Sequence, residues 1–373
     1  MKVLHINSYY SVSGFYENLY NEQIKSGLNL DVFVPISSSQ SRSSINLGQY
    51  TKVSVNHGKY DRILFHLKHY KIYKDILKKF EVQDYSVIHA HSLFSNGYVA
   101  MKLKREYGIP YVVAVRNTDV NTFFKYMLNL RKLGIKILRE SDKIIFLSDS
   151  YKEQVIEKYV PNKFKEDIVE KTEVIPNGID DFWFENKAVP KKKLNQRVVR
   201  LLYIGVINKN KNLNTTLKAI NILQRKGWHV KFTIVGKIVD ESIYKQFKDF
   251  PYVKYISPKP KEELIDIYRR NDIFIMPSIT ETFGLVYAEA MSQGLPIIYS
   301  KGQGFDKQFE EGEVGYHVES SNEKEIADRL CDIISEFEGL SDNCIRKSDK
   351  FNWNILANAY LGIYTDINSE YNF

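Results

Sequence analysis

The richest concentration of chemistry-bearing side chains lies in PSITETFGLVYAEAMSQGLP, from Pro277 to Pro296, directly after the apolar run Ile273 to Met276. Thr280 or Thr282 is placed to cap a helix through Leu285 to Met291, and Gly294 is placed to stop it. Gly284, lacking a side chain, lets a ligand approach the backbone closely. The unpaired amides and positive dipole end of such a helix suit a diphosphate. Glu289, about one turn further in, can accept hydrogen bonds from ribose hydroxyls. Glu281, ahead of the helix, would repel phosphate but suits the hydroxyls of a sugar attached to it. Two glutamates at this spacing are ordinary on an exposed helix; the surrounding loop is what singles them out.

A second group follows another apolar run, Val199 to Ile204: Gly205, Lys209 and Lys211. A lone lysine there would be a solvated one, but a loop after a buried strand is where ligands of open α/β sheets gather. In the first half, His89 and His91 (HAH) and the tetrapeptide Arg116-Asn117-Thr118-Asp119 stand in equivalent loops. No Cys, Asp or Glu accompanies the histidines at ligand spacing, so no metal is expected. No G-x-x-x-x-G-K-[ST] phosphate loop occurs, and Gly302-x-Gly304 lacks the third glycine of a dinucleotide fingerprint, which argues against ATPase and dehydrogenase chemistry.

These loops need a scaffold, and short apolar runs alternating with helical patterns supply one. Val3–Ile6, Leu30–Val34, Val87–Ala90, Tyr111–Val115 and Ile144–Leu147 form a first set. Val199–Ile204, Val230–Val235, Ile273–Met276 and Pro296–Tyr299 form a second. The alternation predicts α/β architecture with two Rossmann-like, doubly wound parallel-sheet domains facing across a cleft. Between the sets, Pro176 to Gln196 has the composition of a turn and an exposed linker. The expected division is 1–180, a linker 181–197, a second domain 198–350, and a helix over 351–373 crossing back to the first domain.

The segment E-x(7)-E, with Pro-Ser before it, Phe-Gly inside and Gly-Leu-Pro after, resembles family four of the retaining glycosyltransferases, which have the GT-B fold. Asn177-Gly178-Ile179-Asp180 resembles the family's turn closing the first domain, and Gly205 through Lys211-Asn212 its G-R-x(4)-K-[GN] loop. Phe351 to Tyr364 is similar to its C-terminal crossover helix. The resemblance implies that the first domain binds the acceptor and the second the nucleotide sugar. It also implies that Glu281 binds the donor sugar, the backbone around Thr282, Phe283, Gly284 and Leu285 meets sugar and phosphate, and Glu289 binds ribose. Gly14 and Gly205 would approach the phosphates, and Lys211 would neutralise the departing diphosphate, since a fixed ammonium stabilises the charge that builds there. The family's arginine after the first glycine is Val206 here, with Lys209 the candidate substitute, and its usual donor-sugar histidine is absent from Arg116-Asn117-Thr118-Asp119. Asn117 is a donor-contact candidate, and His91, Arg116 and Asp119 are acceptor-contact candidates. The absence of D-x-D points to charge neutralisation by protein groups, with neither metal nor cofactor.

The net charge of +8 allows nucleic acid, anionic membrane or phosphorylated substrates as partners. Its concentration in two amphipathic stretches, Lys59 to Phe80 and Asn121 to Glu140, fits either solvated helix faces or docking on an anionic membrane, and no nucleic-acid motif accompanies it. Two cysteines, Cys331 and Cys344, fit a reducing compartment, and no window approaches the roughly 20 apolar residues of a membrane span. The expectation is a cytoplasmic glycosyltransferase, with a UDP-sugar favoured as donor, a saccharide or lipid-linked saccharide acceptor in cell-surface polysaccharide synthesis, and peripheral membrane contact. Alternatives are a sugar-nucleotide 2-epimerase of the same fold, told apart by an epimer formed from donor alone, and a non-catalytic sugar-binding protein, which would bind free sugar without nucleotide.

Overall fold

The computed structural model describes residues 1–371 apart from 12, 40–46, 59–60, 62–63 and 193–196. Parts of the basic stretch from Lys59 and of the expected linker therefore lie outside the described residues. The chain forms two compact units, one of Met1–Leu147, Tyr151–Gly178 and Trp353–Phe373, the other of Ser148–Ser150 and Ile179–Asn352.

In the first unit β1 (Lys2–Ile6), β2 (Asn29–Ser37), β3 (Thr51–His57), β4 (Val87–Ala90), β5 (Tyr111–Val115), β6 (Lys143–Phe146) and β7 (Thr172–Val174) pair in parallel in the order β3-β2-β1-β4-β5-β6-β7. Central strands are covered on both faces, which is why β4 and β5 are buried at every position. One face carries helices Phe65–Lys79, Ser95–Tyr107 and Arg131–Glu140 through residues such as Ile76, Leu103 and Leu138. The other carries helix Phe15–Lys25 and the final helix Trp353–Tyr371, through Leu19, Tyr20, Leu356 and Tyr364. Gly178 lies so close to Trp353 that a Cβ there would stand 2.5 Å from the indole, so the turn before the second unit has room only for glycine.

The second unit holds β8 (Val198–Ile204), β9 (His229–Val235), β10 (Val253–Ile256), β11 (Ile273–Ile275), β12 (Ile297–Ser300) and β13 (Gly315–Val318), parallel in the order β10-β9-β8-β11-β12-β13. Both sheets are α/β and doubly wound, as the alternation implies.

Two stretches differ from expectation. Asn121 to Glu140 is not one helix but a π-helical turn (Asp119–Phe124), a 3-10 turn (Leu128–Leu130) and helix Arg131–Glu140. Neighbouring Phe123 and Phe124 stack on different rings, Phe94 at 4.6 Å and Tyr159 at 4.8 Å, and the Arg131 guanidinium donates to the Phe124 and Lys125 carbonyls released at the break. The start of the expected linker is also ordered: Asp180 caps helix Asp181–Glu185, whose Trp183 is buried edge-on against Tyr268.

Candidate active site

The loop after β11 and the turn after β8 meet at the carboxyl ends of adjacent parallel strands, where unpaired strand-end backbone and loops converge. Lys211 closes a 3-10 turn, Lys209–Lys211, whose N-cap Asn208 accepts from the Lys211 amide at 3.1 Å. This aims the Lys211 ammonium at Glu281 Oε2, to which it donates. The same oxygen accepts from Ser278 Oγ at 3.3 Å, and Oε1 accepts from the Thr282 amide at 3.0 Å. Both side chains are largely withdrawn from water, with 15% and 12% exposure, so the pair is strong and directional.

The helix after Glu281 runs Leu285–Ser292 with Gly284 in the left-handed region at φ 78° as its N-cap, and no side chain caps it. Neither Thr280 nor Thr282 plays that part, because the left-handed residue makes the turn itself and leaves the first amides without a side-chain acceptor. A Cβ at Gly284 would lie 2.4 Å from the Tyr287 ring. Phe283 packs inward against Phe305 and Phe351 at 5.6 and 5.7 Å, so only its backbone is available to a ligand, while Leu285 is half-buried.

Glu289 projects from the next turn and accepts from Tyr268 Oη at 2.9 Å. Burial pushes its carboxyl up to about 7; the Tyr268 hydrogen bond opposes this and the nearby Asp180 charge adds to it. Asp180 is itself paired with Lys261 at 2.7 Å.

Three residues that sequence reasoning missed hold this loop. Asn210 grips Thr280 from both sides, donating to its carbonyl at 2.8 Å and accepting from its amide at 3.0 Å. Gln303 Oε1 accepts from the Glu281 amide at 2.9 Å. Gly304 donates to the Glu281 carbonyl at 3.2 Å, and a Cβ there would collide with the Thr282 carbonyl at 1.8 Å. The signal for Gly304 was the glycine pair after β12, set aside as a poor dinucleotide motif.

Lys209 does not join Lys211. It lines a cavity of about 340 Å³ with Asn208, Asn212, Ser242 and Gln246, beside Asp240. Gly205 packs under Gly236, where a Cβ would lie 1.8 Å from the Gly205 carbonyl.

The chain matches the family "Glycosyl transferases group 1" over residues 184–351 and "Glycosyltransferase Family 4" over residues 13–181. It belongs to the group 1 glycosyltransferases of family 4. Among relatives, an uncharacterised glycosyltransferase of Methanocaldococcus jannaschii is 24% identical over 318 residues, spanning 83% of this chain and 82% of that protein. The capsular polysaccharide biosynthesis glycosyltransferase CapM of Staphylococcus aureus is 28% identical over 243 residues, 60% of this chain and 61% of that one. Among solved structures, Anabaena HepE in complex with UDP-glucose superposes with a TM-score of 0.67 at 15% identity, covering 98% of this chain and all of that one, a likeness of fold.

In the first unit of this glycosyltransferase the candidate residues cluster differently than expected. Gly14 is the N-cap of helix Phe15–Lys25 in ordinary helical backbone, with open space where a Cβ would point, so nothing local demands glycine. Asn117 is half-buried and accepts from Asn121 at 2.8 Å. The three acceptor candidates, His91, Arg116 and Asp119, are all buried. Asp119 takes the Leu93, Phe94 and Arg116 amides at 3.0, 3.1 and 2.9 Å, tying two loops together, while burial raises its carboxyl to about 6. Arg116 reaches Asn177 Oδ1 at 3.2 Å and the His91 carbonyl at 3.4 Å.

His91 lies in a cluster with His89 and with His5 from β1, a companion invisible to local spacing. His5 Nδ1 and His91 Nε2 are 3.0 Å apart, and His89 Nδ1 lies 2.6 Å from Tyr364 Oη. Nitrogens that could hold a metal ion stand within 4.8 Å of one another. The His89 and His91 rings, however, stack at 4.1 Å and 21°, so their in-plane lone pairs run side by side, and the Arg116 charge disfavours a further cation. Burial holds all three imidazoles neutral, His5 down at about 3 and the others well below the ordinary value.

Proposed function

We propose that this glycosyltransferase moves a hexose-type sugar from a nucleotide-diphosphate sugar, UDP-sugar above others, to a saccharide or lipid-linked saccharide acceptor in cell-surface polysaccharide synthesis. The observation that carries the reading is the Lys211 ammonium held on Glu281 beside the uncapped start of helix Leu285–Ser292. A diphosphate seated on the free amides draws Lys211 toward its oxygens, and the released Glu281 oxygen accepts a sugar hydroxyl. As the glycosidic bond breaks, negative charge collects on the leaving phosphate beside Lys211 and the helix dipole, which stabilise it without a metal ion. Glu289, oriented by Tyr268, receives the ribose hydroxyls. HepE, solved with UDP-glucose, supports the donor class, and CapM supports the polysaccharide role. Retention of anomeric configuration follows from the family resemblance.

Among the described residues no helix is long and apolar enough to cross a membrane. The same reading places the enzyme in the cytoplasm, with peripheral contact to the inner membrane face. A thermal-shift screen against nucleotide sugars, with and without EDTA, tests the donor: stabilisation by UDP or its sugars, unaffected by EDTA, is expected. Stabilisation by free sugars alone would overturn the reading, and the anomer of the product by NMR tests retention.

A further inference from the structure

The first unit carries a basic surface that the proposed sugar transfer does not use. Helix Arg131–Glu140 and the residues around Tyr159 and Phe164 line a cavity of about 670 Å³. Arg131, Lys132, Lys136 and Arg139 all reach it. Its one carboxylate, Glu140, is bonded by Arg105, so it neutralises none of them. Lys132 and Lys136 have no carboxylate partner among the described residues, and Arg139 lies over the Phe164 ring at 3.8 Å.

Directly before this helix, the break that bends the chain pushes Tyr126, Met127 and Leu128 outward, with Tyr126 69% and Leu128 65% exposed. Large apolar side chains so exposed stand out from a surface instead of lining a groove. They do not stand alone. Phe123 meets Phe65 at 6.3 Å, and Phe65 meets Tyr98 at 5.6 Å, which brings the start of helix Phe65–Lys79 alongside. That start exposes Leu64 (56%) and Leu67 (44%). Protruding apolar side chains beside unneutralised cations match a bilayer surface, where the former enter the acyl boundary and the latter meet phosphates. A soluble anion would satisfy the cations and leave Tyr126 and Leu128 in water.

We infer that the segment Tyr126 to Arg139, with Leu64 and Leu67, is the surface by which this protein binds an anionic phospholipid bilayer, and that the Arg131–Arg139 cavity receives lipid phosphate headgroups. The inference deepens the membrane contact proposed above by giving it a place and a chemistry.

The test is co-sedimentation of the full chain with phosphatidylcholine vesicles, with and without phosphatidylglycerol, at rising salt. Wild type should bind only the anionic vesicles and be released by salt in large part, leaving a smaller apolar remainder. Lys132→Glu with Lys136→Glu should weaken binding by about tenfold or more, and Tyr126→Ser with Leu128→Ser should remove the part that survives salt. No binding to anionic vesicles, or binding unchanged in both double variants, would overturn the inference. Equal binding of neutral and anionic vesicles would do the same. The UDP-induced thermal shift is read in every variant: because the nucleotide site lies in the other unit, it should persist, which separates failure here from failure of the sugar-transfer reading, while unchanged Trp353 fluorescence reports that the substituted unit is folded.

Discussion

Acidification should unfold the first unit well before carboxylate chemistry would do so. Four histidines there, His5, His69, His89 and His91, are buried, with His5 and His69 held down at about 3 and the other two well below the ordinary value. Their folded pKa values lie below the unfolded one, so the unfolded chain binds the extra protons and stability falls as pH drops below about 6.5. From pH 7 to pH 5 each neutral histidine loses about 2 kcal/mol, roughly 8 kcal/mol for the four. Asp119, raised to about 6 by burial, works the other way and returns about 1 kcal/mol, because the folded state keeps its proton. A net loss of about 7 kcal/mol is comparable to the whole stability of a typical domain. Urea titrations followed by Trp353 fluorescence, in a background with Trp183 and Trp228 replaced by phenylalanine, read this unit alone. A fall of less than about 2 kcal/mol between pH 7 and pH 5 would refute the reasoning, since it would mean that these imidazoles are protonated in the folded state.

The candidate site yields four further expectations. Tyr268→Phe keeps the ring against Trp183 but removes the hydrogen bond to Glu289, so the carboxyl should titrate above its present value of about 7. UDP affinity followed by calorimetry, which should fall about tenfold from pH 8 to pH 6 in wild type, should then begin to fall at higher pH. Glu281→Gln should retain UDP binding but lose transfer by about a hundredfold or more, measured as kcat with the identified donor; an unchanged rate would exclude its role. Asn210→Ala removes both bonds to Thr280 and should weaken UDP binding by about 1–3 kcal/mol while the melting temperature changes little. Gly304→Ala forces the Thr282 carbonyl aside and should raise KM for the donor more than it lowers kcat, in initial-rate measurements.

The two parallel sheets and the loop from Pro277 to Pro296 were legible because their signals are local. A strand buried on both faces tends to a continuous apolar run, and β5 is that throughout, while β4 admits one polar residue, His89. The helix start is written in consecutive residues around Gly284. The strands that were missed are β3, β7, β10 and β13, the four edges of the two sheets. Each has a partner on one side only, so polar residues interrupt its apolar pattern, as in TKVSVNH. The linker reading failed at Trp183 because its burial depends on Tyr268, far along the chain.

Sequence by itself determined the architecture class and the pairing of a phosphate-friendly turn with two glutamates, since both rest on spacing within a few residues. Tertiary structure alone decided what each side chain touches. It turned Lys211 to Glu281 and Lys209 away, enlisted Asn210 and Gly304 as supports, and gathered His5, His89 and His91 beneath a buried Arg116. Those contacts join residues tens of positions apart, and only packing against a shared core selects them from the many pairings that chain flexibility allows.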